Sequence, residues 1–255
     1  MEIDCTRDPP IATLTVSNPG RKNAIDAPGA ETMAERVNEL AHDDSIRCVV
    51  VTGGGDTFCS GLDLAGDMGS LGVEGELEIG LNAIVRRLLR MSKPTVAKVR
   101  GAAVGAGASI ATACDFVYAA EDAFFQWSFT NVGLGPDTGA TYVLPRLVGT
   151  RRAMELFAFG ERVDADAAVE EGIATECIPV SAFESTVDER VETLASRPTL
   201  AIGETKRLTY RSHDRSLEES LQAEARAQER LFDSADFVEG IAAFSADREP
   251  EFEGR

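Results

Sequence analysis

The hydrophobic residues in the first half of the chain follow two periods, one typical of strands and one typical of helices. Residues 11–16 alternate between apolar and polar side chains, as expected for a half-buried strand. In residues 28–41 the apolar side chains recur every three or four positions, which predicts a helix. The apolar run at residues 48–52 predicts a buried strand. A second helical pattern follows at residues 81–89, and Pro94 forces that helix to end.

The middle of the chain repeats the same order of elements. Strand, turn and helix patterns follow one another through residues 95–113, and residues 115–119 predict another short strand. This recurrence of strand and helix predicts an α/β core with a partly parallel sheet. Residues 66–80 mix glycine with acidic residues and lack a clear period, so they are interpreted as a mobile loop around a short helix.

The second half of the chain is largely helical. Residues 181–184 and 216–219 both match the capping box that opens a helix. From Pro198 onward the pattern is amphipathic helix without a strand signal, and such a tail has little sheet to pack on within its own subunit. We therefore predict an α/β core at residues 1–195 and a separate helical segment at residues 196–255.

The chain is strongly acidic. Its 255 residues include 43 Asp and Glu against 25 Lys and Arg, a formal net charge of −18 at pH 7. This charge argues against nucleic acid or an anionic membrane as a partner. A surface that serves only solubility is one interpretation, and we favour halophilic adaptation, in which salt screens the repulsion between carboxylates. Only four of the basic residues are lysines, namely Lys22, Lys93, Lys98 and Lys206.

The cysteines and the apolar segments indicate a cytoplasmic protein. The five cysteines are odd in number and far apart, which fits neither a disulfide framework nor a zinc site, so no metal is expected. The N-terminus does not have the pattern of a signal peptide. The apolar stretch at residues 95–120 is interrupted by Lys98, Arg100 and Asp115, and it therefore does not predict a membrane span.

Two glycine-containing turns carry the strongest chemical signal. Residues 57–64 (TFCSGLDL) follow the predicted strand at residues 48–52, and residues 98–109 (KVRGAAVGAGAS) follow residues 94–97. Each segment predicts a turn that enters a helix and leaves backbone N–H groups unpaired. Either turn alone would more often be an ordinary connection. Two such turns aimed at one point would form an oxyanion hole from the main chain.

Further segments in a fixed order complete the pattern, and the whole chain resembles the enoyl-CoA hydratase/isomerase (crotonase) superfamily. The resemblance implies a spiral of ββα units. It implies as well that residues 196–255 are an oligomerisation segment, whose helices form a trimer or a hexamer of two trimers. It also implies an acyl-CoA thioester as substrate and no separate cofactor, because coenzyme A is part of the substrate. The segments that carry it, besides the two turns, are residues 18–24 (NPGRKNA), 136–139 (PDTG), 144–149 (LPRLVG), 239–244 (EGIAAF) and 248–252 (REPEF).

The resemblance also assigns roles to individual residues. The N–H groups of Leu62 and Ala106 would hold the oxygen of a thioester enolate, which needs donors where its charge develops. Lys22 and Ala24 would meet the nucleotide end of coenzyme A, where a phosphate needs a point charge in an acidic field. The remaining residues expected to contact coenzyme A or the acyl group are Leu62, Asp63, Leu64, Gly105 and Phe129.

Two departures from the family pattern bear on the reaction. Hydratases of the family place two glutamates around the double bond, and this chain has Ser109 and Phe129 at those positions. Asp137 lies nearby, in a turn where family members that move a double bond commonly keep one aspartate. A single carboxylate can take a proton from one carbon and return it two carbons away. The sequence therefore favours double-bond isomerisation with Asp137 as the proton shuttle.

The surroundings of Asp137 are predicted to be apolar. Such a pocket would raise the pKa of the carboxyl group towards neutrality, as a general acid–base requires. A different interpretation makes Asp137 the N-cap of a helix that begins at Thr138. The side chains expected to line the pocket are Phe125, Trp127, Phe129 and Val132.

Other functions remain open at this stage. The related dehalogenases carry an aspartate at the Asp137 position as nucleophile, but they add a histidine where this chain has Arg86. A 2-enoyl-CoA hydratase of fatty-acid or aromatic-acid degradation, or a non-catalytic protein that binds CoA thioesters, would also fit the resemblance. A dinucleotide fingerprint at residues 105–110 lacks its third small residue. Ser109 as the nucleophile of a hydrolase would need His42 or His213, and neither lies in a suitable sequence context.

Overall fold

The computed structural model describes residues 1–65 and 71–255. The strands in these residues are β1 (Glu2–Asp8), β2 (Ile11–Ser17), β3 (Cys48–Gly53), β4 (Thr95–Val99), β5 (Ala102–Val104), β6 (Phe116–Ala120), β7 (Phe124–Gln126), β8 (Arg162–Asp164) and β9 (Glu176–Ile178). The helices are α1 (Ala27–His42), α2 (Gly72–Ile79), α3 (Leu81–Arg90), α4 (Ala106–Thr112), α5 (Ala140–Val148), α6 (Thr150–Phe159), α7 (Ala165–Glu170), α8 (Phe183–Ser196), α9 (Thr199–Tyr210), α10 (Leu217–Phe232) and α11 (Ala235–Ser245).

The elements predicted from hydrophobic periodicity are confirmed. The strands predicted at residues 11–16 and 48–52 are β2 and β3, and the helices predicted at residues 28–41 and 81–89 are α1 and α3. The short helix expected in the glycine-rich and acidic segment is α2. Residues 66–70, the first part of the predicted mobile loop, lie outside the described residues.

The strands form two sheets, and from β4 onward the chain passes back and forth between them. Within the described residues, the larger sheet has the order β1-β2-β3-β4-β6-β9, with β1 antiparallel to β2 and the other pairs parallel. The smaller sheet has the order β5-β7-β8. Strand β4 is followed at once by β5 and then by α4, so one strand of each sheet and a helix make up one unit. The predicted α/β fold with units of two strands and a helix is confirmed.

Strand β3 is apolar from Cys48 to Val51, where both of its faces are buried. Val49 and Val51 belong to the main core, which includes α1, α3 and α4. Cys48 and Val50 face the opposite side of the sheet, where they pack in a second cluster with Phe183 and other residues of α8. A parallel strand covered on both faces shows a continuous hydrophobic run, as this segment does.

The C-terminal helices are attached to the core by buried polar contacts. The Lys206 ammonium group on α9 donates to the Asp115 carboxylate at 2.7 Å and to the Leu88 carbonyl at 2.6 Å. Arg47 donates to the Phe252 carbonyl at 2.6 Å, which holds the end of the chain against the core. The described residues beyond β9 contain no strand. The boundary between the core and the oligomerisation segment stays a prediction.

One of the two predicted capping boxes is confirmed and the other is wrong. Ser216 accepts from the Glu219 N–H, and the Glu219 carboxylate accepts from the Ser216 N–H in return. At residues 181–184 a 3₁₀ turn precedes α8, and Ala182 is the N-cap, without a side-chain bond. Glu184 instead pairs with Lys98 at 2.6 Å, so its carboxylate is directed away from the helix terminus.

The structure also bears on two of the broader expectations. None of the helices in the described residues combines the length and the apolar character needed to cross a membrane. The same residues contain no group of three or more His, Cys, Asp or Glu side chains arranged to hold a metal ion. All five cysteines are free thiols, and burial raises the pKa of the Cys59 thiol to about 12.

Candidate active site

The two glycine turns lie side by side in the fold. The Cys59 N–H donates to the Ala102 carbonyl at 2.9 Å, and the Val104 N–H donates to the Cys59 carbonyl at 2.9 Å. One residue earlier, the Phe58 N–H donates to the Arg100 carbonyl at 2.8 Å. These hydrogen bonds align the first turn with strand β5, which leads directly into the second turn.

Two glycines permit the close approach of these backbones. Gly61 has a φ of 98°, and a Cβ atom there would lie 3.0 Å from the Val104 carbonyl oxygen and 3.6 Å from the Ala106 nitrogen. A Cβ atom at Gly107 would overlap the carbonyl oxygen of Cys59. A side chain at either position would therefore push the turns apart, which explains why both turns need glycine.

The backbone N–H groups of Leu62 and Ala106 have no internal acceptor in the part of the chain that the structure describes. Leu62 lies between two bonds to Ile25, in which the Ile25 N–H donates to the Gly61 carbonyl and the Asp63 N–H donates to the Ile25 carbonyl, both at 2.8 Å. Ala106 begins α4, where the first N–H groups lack intrahelical partners. Two unpaired donors are thus available where the turns meet.

Asp137 is half-buried, and its carboxylate makes one side-chain hydrogen bond. The Thr138 hydroxyl donates to Asp137 Oδ1 at 2.6 Å. Burial raises the pKa of the Asp137 carboxyl above its usual value of 3.8, and the bond from Thr138 partly opposes this rise. No charged side chain of the described residues contributes to the shift. The group is therefore a carboxyl with a raised pKa and no cationic partner.

The interpretation of Asp137 as a helix cap is wrong. Helix α5 begins at Ala140, and its N-cap is Gly139, which offers no side-chain acceptor. Asp137 contributes only its backbone carbonyl, which accepts from the Ala140 N–H at 2.9 Å. Its carboxylate is thus not engaged in holding the helix.

The positions of the two missing glutamates are filled by side chains without acid–base function. Ser109 is buried in α4, and its hydroxyl donates to the Gly105 carbonyl at 3.0 Å. Phe129 is buried, and a Cβ atom placed at Gly105 would lie 4.0 Å from its ring. His42 and His213 are both exposed, and neither bonds to Ser109, so no hydrolase triad forms.

Three of the four side chains expected to line the apolar pocket around Asp137 are buried and the fourth is not, and the pocket itself stays a prediction. Phe125 and Trp127 are fully buried, and Phe129 is nearly so, all within the main core. Val132 is 57% exposed, so its assignment to a closed pocket is wrong. The 3₁₀ turn Phe129–Val132 leaves the core after its first residue and directs Val132 to the surface.

Arg86 fills the place of the dehalogenase histidine. Its guanidinium group is exposed and pairs with Glu78 at 2.5 Å on the preceding helix. A guanidinium group stays protonated at any physiological pH and cannot activate water as a base. The structure therefore offers no substitute for that histidine at this position.

The turn that contains Lys22 packs directly on the first glycine turn. The Ser60 N–H donates to the Lys22 carbonyl at 3.1 Å, and the Ser60 hydroxyl donates to the Arg21 carbonyl at 3.0 Å. Arg21 also lies 3.6 Å from the Asp63 carboxylate across the two turns. Lys22 is exposed, whereas Ala24 is buried. The two segments expected to bind coenzyme A are therefore contiguous.

Asn23 holds this arrangement together and was not singled out from the sequence. The residue is buried, and its backbone φ is 57°. The amide nitrogen donates to the carbonyls of Gly54 and Thr57 at 2.9 and 2.6 Å, and the amide oxygen accepts from the Asn18 N–H at 2.9 Å. The signal available in the sequence was an asparagine in a turn, a residue that tolerates the left-handed conformation.

Asp63 and Leu64 follow the first turn at the edge of this surface. The Asp63 carboxylate accepts from the Ala65 N–H at 3.1 Å and thus shapes the local backbone. Leu64 is 56% exposed. A small cavity of about 20 Å³ lies beside Leu62 and Asp63, between α1, α2 and α3.

Lys22 differs from the other three lysines in having no anionic or carbonyl partner among the described residues. Lys93 donates to the carbonyls of Leu40 and Asp43. Lys98 pairs with acidic residues of α8, and Lys206 is buried against the core. Three lysines therefore have structural roles, and Lys22 alone presents an uncommitted ammonium group.

Comparisons with known proteins establish the family. The enoyl-CoA hydratase/isomerase profile matches residues 6–255. The 1,2-epoxyphenylacetyl-CoA isomerase of Escherichia coli (strain K12) is 35% identical over 252 residues, which cover 96% of this chain and 95% of that protein. The trans-2-decenoyl-[acyl-carrier-protein] isomerase of Streptococcus mutans is 31% identical over 262 residues, covering 100% of this chain and 98% of that protein.

The structural comparison agrees with the sequence comparison. The crystal structure of an enoyl-CoA hydratase from Bacillus anthracis superposes with a TM-score of 0.93 at 28% identity, covering 100% of both chains. The chain belongs to the enoyl-CoA hydratase/isomerase (crotonase) superfamily and has its fold. The relatives carry out different reactions, so membership defines an acyl-CoA enzyme family without defining the reaction.

Proposed function

We propose that this protein is an enoyl-CoA isomerase that moves a carbon–carbon double bond in an acyl-CoA thioester. The observation that carries the proposal is the contrast between Asp137 and the two hydratase positions. Asp137 is a half-buried carboxyl with a raised pKa, whereas Ser109 and Phe129 offer no acid or base. One carboxyl suits a reaction that moves one proton.

The proposed reaction has two steps at the same carboxyl. Asp137 removes a proton from the α-carbon, and the electron pair of that bond passes to the thioester oxygen as a dienolate. The Leu62 and Ala106 N–H groups, which lack internal acceptors, stabilise this oxygen as its charge forms. Asp137 then returns the proton to the γ-carbon, which restores the thioester and leaves the double bond in its new place.

Coenzyme A is proposed to bind across the two contiguous turns. Lys22 has no partner among the described residues and can offer its full charge to a phosphate, with Ala24 at the same turn. The pantetheine arm would follow Leu62, Asp63 and Leu64. The acyl end would pass Gly105 and Phe129 on its way to Asp137. Coenzyme A is here part of the substrate and not a separate cofactor.

The names of two similar proteins support isomerisation. The similar protein from E. coli is an isomerase of an epoxide-bearing acyl-CoA, and the one from S. mutans is an isomerase of a decenoyl thioester. Hydration remains the main competing reaction, because the similar B. anthracis structure is that of a hydratase.

The test is to measure isomerisation of 3-enoyl-CoA to 2-enoyl-CoA by the wild type and by Asp137→Asn. Loss of a general acid–base residue typically slows a reaction by about 10²–10⁴-fold. We expect Asp137→Asn to lose isomerisation by that order, while the affinity for the acyl-CoA stays close to that of the wild type. Asp44→Asn is the matched control, since Asp44 is exposed and makes no hydrogen bond in the described part of the chain.

Two outcomes would contradict the proposal. Rapid hydration of 2-enoyl-CoA that survives Asp137→Asn would make the protein a hydratase with a different proton carrier. Tight acyl-CoA binding without turnover of any enoyl-CoA in a panel of chain lengths and ring substrates would make it a non-catalytic thioester-binding protein.

A further inference from the structure

The turn that carries Asp137 has an unusual backbone. The Ala140 N–H donates to the Asp137 carbonyl at 2.9 Å, which closes a four-residue turn. Both central residues have positive φ, 52° at Thr138 and 73° at Gly139. These values are those of a type I′ turn, whose first central position is usually filled by Asn, Asp or Gly.

Thr138 is costly at this position. A β-branched residue with positive φ is a true outlier, because its Cβ substituents crowd the backbone. Glycine would adopt the same conformation without strain. The threonine side chain is also almost fully buried, so it is not there to meet solvent. Strain of this kind persists where the side chain has a use, and it concentrates at functional sites.

The hydroxyl group supplies that use. In this left-handed conformation the Thr138 hydroxyl donates to Asp137 Oδ1 at 2.6 Å, so the strained residue holds one oxygen of the adjacent carboxyl. We propose that Thr138 is a positioning residue, whose hydroxyl fixes the Asp137 carboxyl so that Oδ2 is the oxygen that carries the proton between the two carbons. This inference rests on the proposed isomerase function and adds to it the device that orients its proton carrier.

The chemistry of the pair is compatible with both steps. When the C–H bond at the α-carbon breaks, an O–H bond forms at Oδ2, and Oδ1 can still accept from the Thr138 hydroxyl. When Oδ2 returns the proton to the γ-carbon, the same hydrogen bond remains in place. The carboxyl therefore keeps its orientation while its charge changes, and one oxygen alone has to reach both carbons.

The hydrogen bond also affects the proton affinity of the carboxyl. Burial raises the pKa of Asp137, and the Thr138 hydroxyl, which favours the charged form, opposes this rise. These two influences are the ones that act on the group, because no charged or titratable side chain of the described residues shifts it. Without the hydroxyl the carboxyl would be a base only at a higher pH.

The test compares Thr138→Val, Thr138→Ser and the wild type in isomerisation of 3-enoyl-CoA across a range of pH. Thr138→Val keeps the branched shape and removes the hydroxyl, and Thr138→Ser keeps the hydroxyl. We expect Thr138→Val to lower kcat by about ten- to a hundred-fold, the usual effect of losing a hydrogen bond to a charged group, with KM little changed. In Thr138→Val we also expect the acidic limb of the pH profile of kcat/KM to move to higher pH. Thr138→Ser should restore both kcat and the position of this limb.

The outcomes separate this inference from the proposed function. If Asp137→Asn abolishes isomerisation while Thr138→Val leaves kcat and the pH profile unchanged, the positioning role is wrong and the isomerase proposal stands. If Asp137→Asn has no effect on isomerisation, the isomerase proposal is wrong, and the positioning role that rests on it is wrong as well. Should Thr138→Val fail to fold, Thr138→Ala, which lacks the branched substituents on Cβ, must show the same loss and the same shift. Equal loss of kcat in Thr138→Ser and Thr138→Ala would also overturn the role of the hydroxyl.

Discussion

At the scale of single residues, the site combines groups that a stable fold would avoid. Burial raises the pKa of Asp137, and no cation of residues 1–65 or 71–255 compensates its charge. Thr138 has a positive φ, which is unfavourable for a threonine. Both features destabilise the folded chain by themselves. The presence of both features in one turn is typical of a functional site, where activity is gained at some loss of stability.

The raised pKa of Asp137 leads to a prediction on stability. A carboxyl whose pKa is higher in the folded than in the unfolded state favours folding when it is protonated. Its contribution is complete below the ordinary pKa of 3.8 and is lost as the pH rises through the raised folded value. At neutral pH, above the ordinary carboxyl pKa, the burial of Asp137 therefore destabilises the fold. We expect Asp137→Asn to raise the melting temperature at pH 7 even though it removes activity.

The measurement is a series of thermal melts of the wild type and Asp137→Asn between neutral pH and about pH 3. The advantage of the variant should shrink as the pH falls, because the wild-type carboxyl becomes neutral as well. Asp44→Asn should show no such advantage at neutral pH, since Asp44 is exposed. A variant that melts below the wild type at pH 7 would mean that the ionised carboxylate is stabilised in the fold, contrary to the direction given by its burial.

The residues of the site differ in how far the sequence could reveal them. Asp137 was recognisable because two expected glutamates are replaced by Ser109 and Phe129. Asn23 and Thr138 were not recognisable, because their roles depend on positive φ values that no hydrophobic pattern reports. Val132 was misplaced for a similar reason, since a 3₁₀ turn decides which way its side chain points.

At the scale of elements, predictability followed length and burial. Strand β3 and helix α3 were clear because each has several buried apolar residues in a regular period. Strands β7, β8 and β9 are three residues long, too short for any period to be read, and β1 lies at the edge of the sheet with most of its residues exposed. The capping box predicted at residues 181–184 does not form, because the Glu184 carboxylate pairs with Lys98 on a strand distant in sequence.

The turn at Lys22 leads to a prediction about substrate binding. The chain is acidic overall, and Lys22 is the lysine without a partner among the described residues. A phosphate group at this turn would lose its nearest cation and gain a like charge in Lys22→Glu. We expect that variant to bind acyl-CoA several-fold or more weakly than the wild type, with little change in kcat at saturation.

Titration calorimetry of acyl-CoA against both proteins at several salt concentrations would measure this effect. Arg151→Glu makes the same change of charge on exposed α6, where Arg151 has no ion pair in the described part of the chain, and it serves as the control. Equal losses in the two variants would indicate a general effect of net charge. An unchanged affinity in Lys22→Glu would remove this residue from the binding site.

At the scale of the whole molecule, the C-terminal helices are anchored at one end and uncovered at the other. Arg47 and the buried pair of Lys206 and Asp115 attach them to the core. On α11, however, apolar side chains at helical spacing are left uncovered by the rest of the described structure: Val238, Ile241 and Phe244 are 65%, 54% and 87% exposed. Exposed apolar faces of this kind usually mark an interaction surface.

The net charge of −18 makes this surface sensitive to salt. Equal charges on neighbouring copies repel one another, and the screening length falls from about 10 Å at 0.1 M to about 3 Å at 1 M salt. If the chain is adapted to high salt, association through α11 should strengthen as salt is added. The apolar contacts would then supply the free energy of association, and the salt would remove the opposing charge repulsion.

We therefore predict a trimer, or two trimers paired as a hexamer, that depends on α11 and is most stable in high salt. Light scattering at about 1 M salt should give the mass of the oligomer for the wild type and a smaller mass for Ile241→Asp, which places a charge in the middle of the apolar face. Met154→Asp is the matched control, because Met154 is a similarly exposed apolar residue on α6. A compact wild-type monomer in high salt, or dissociation by Met154→Asp and not by Ile241→Asp, would show that α11 is not the oligomerisation surface.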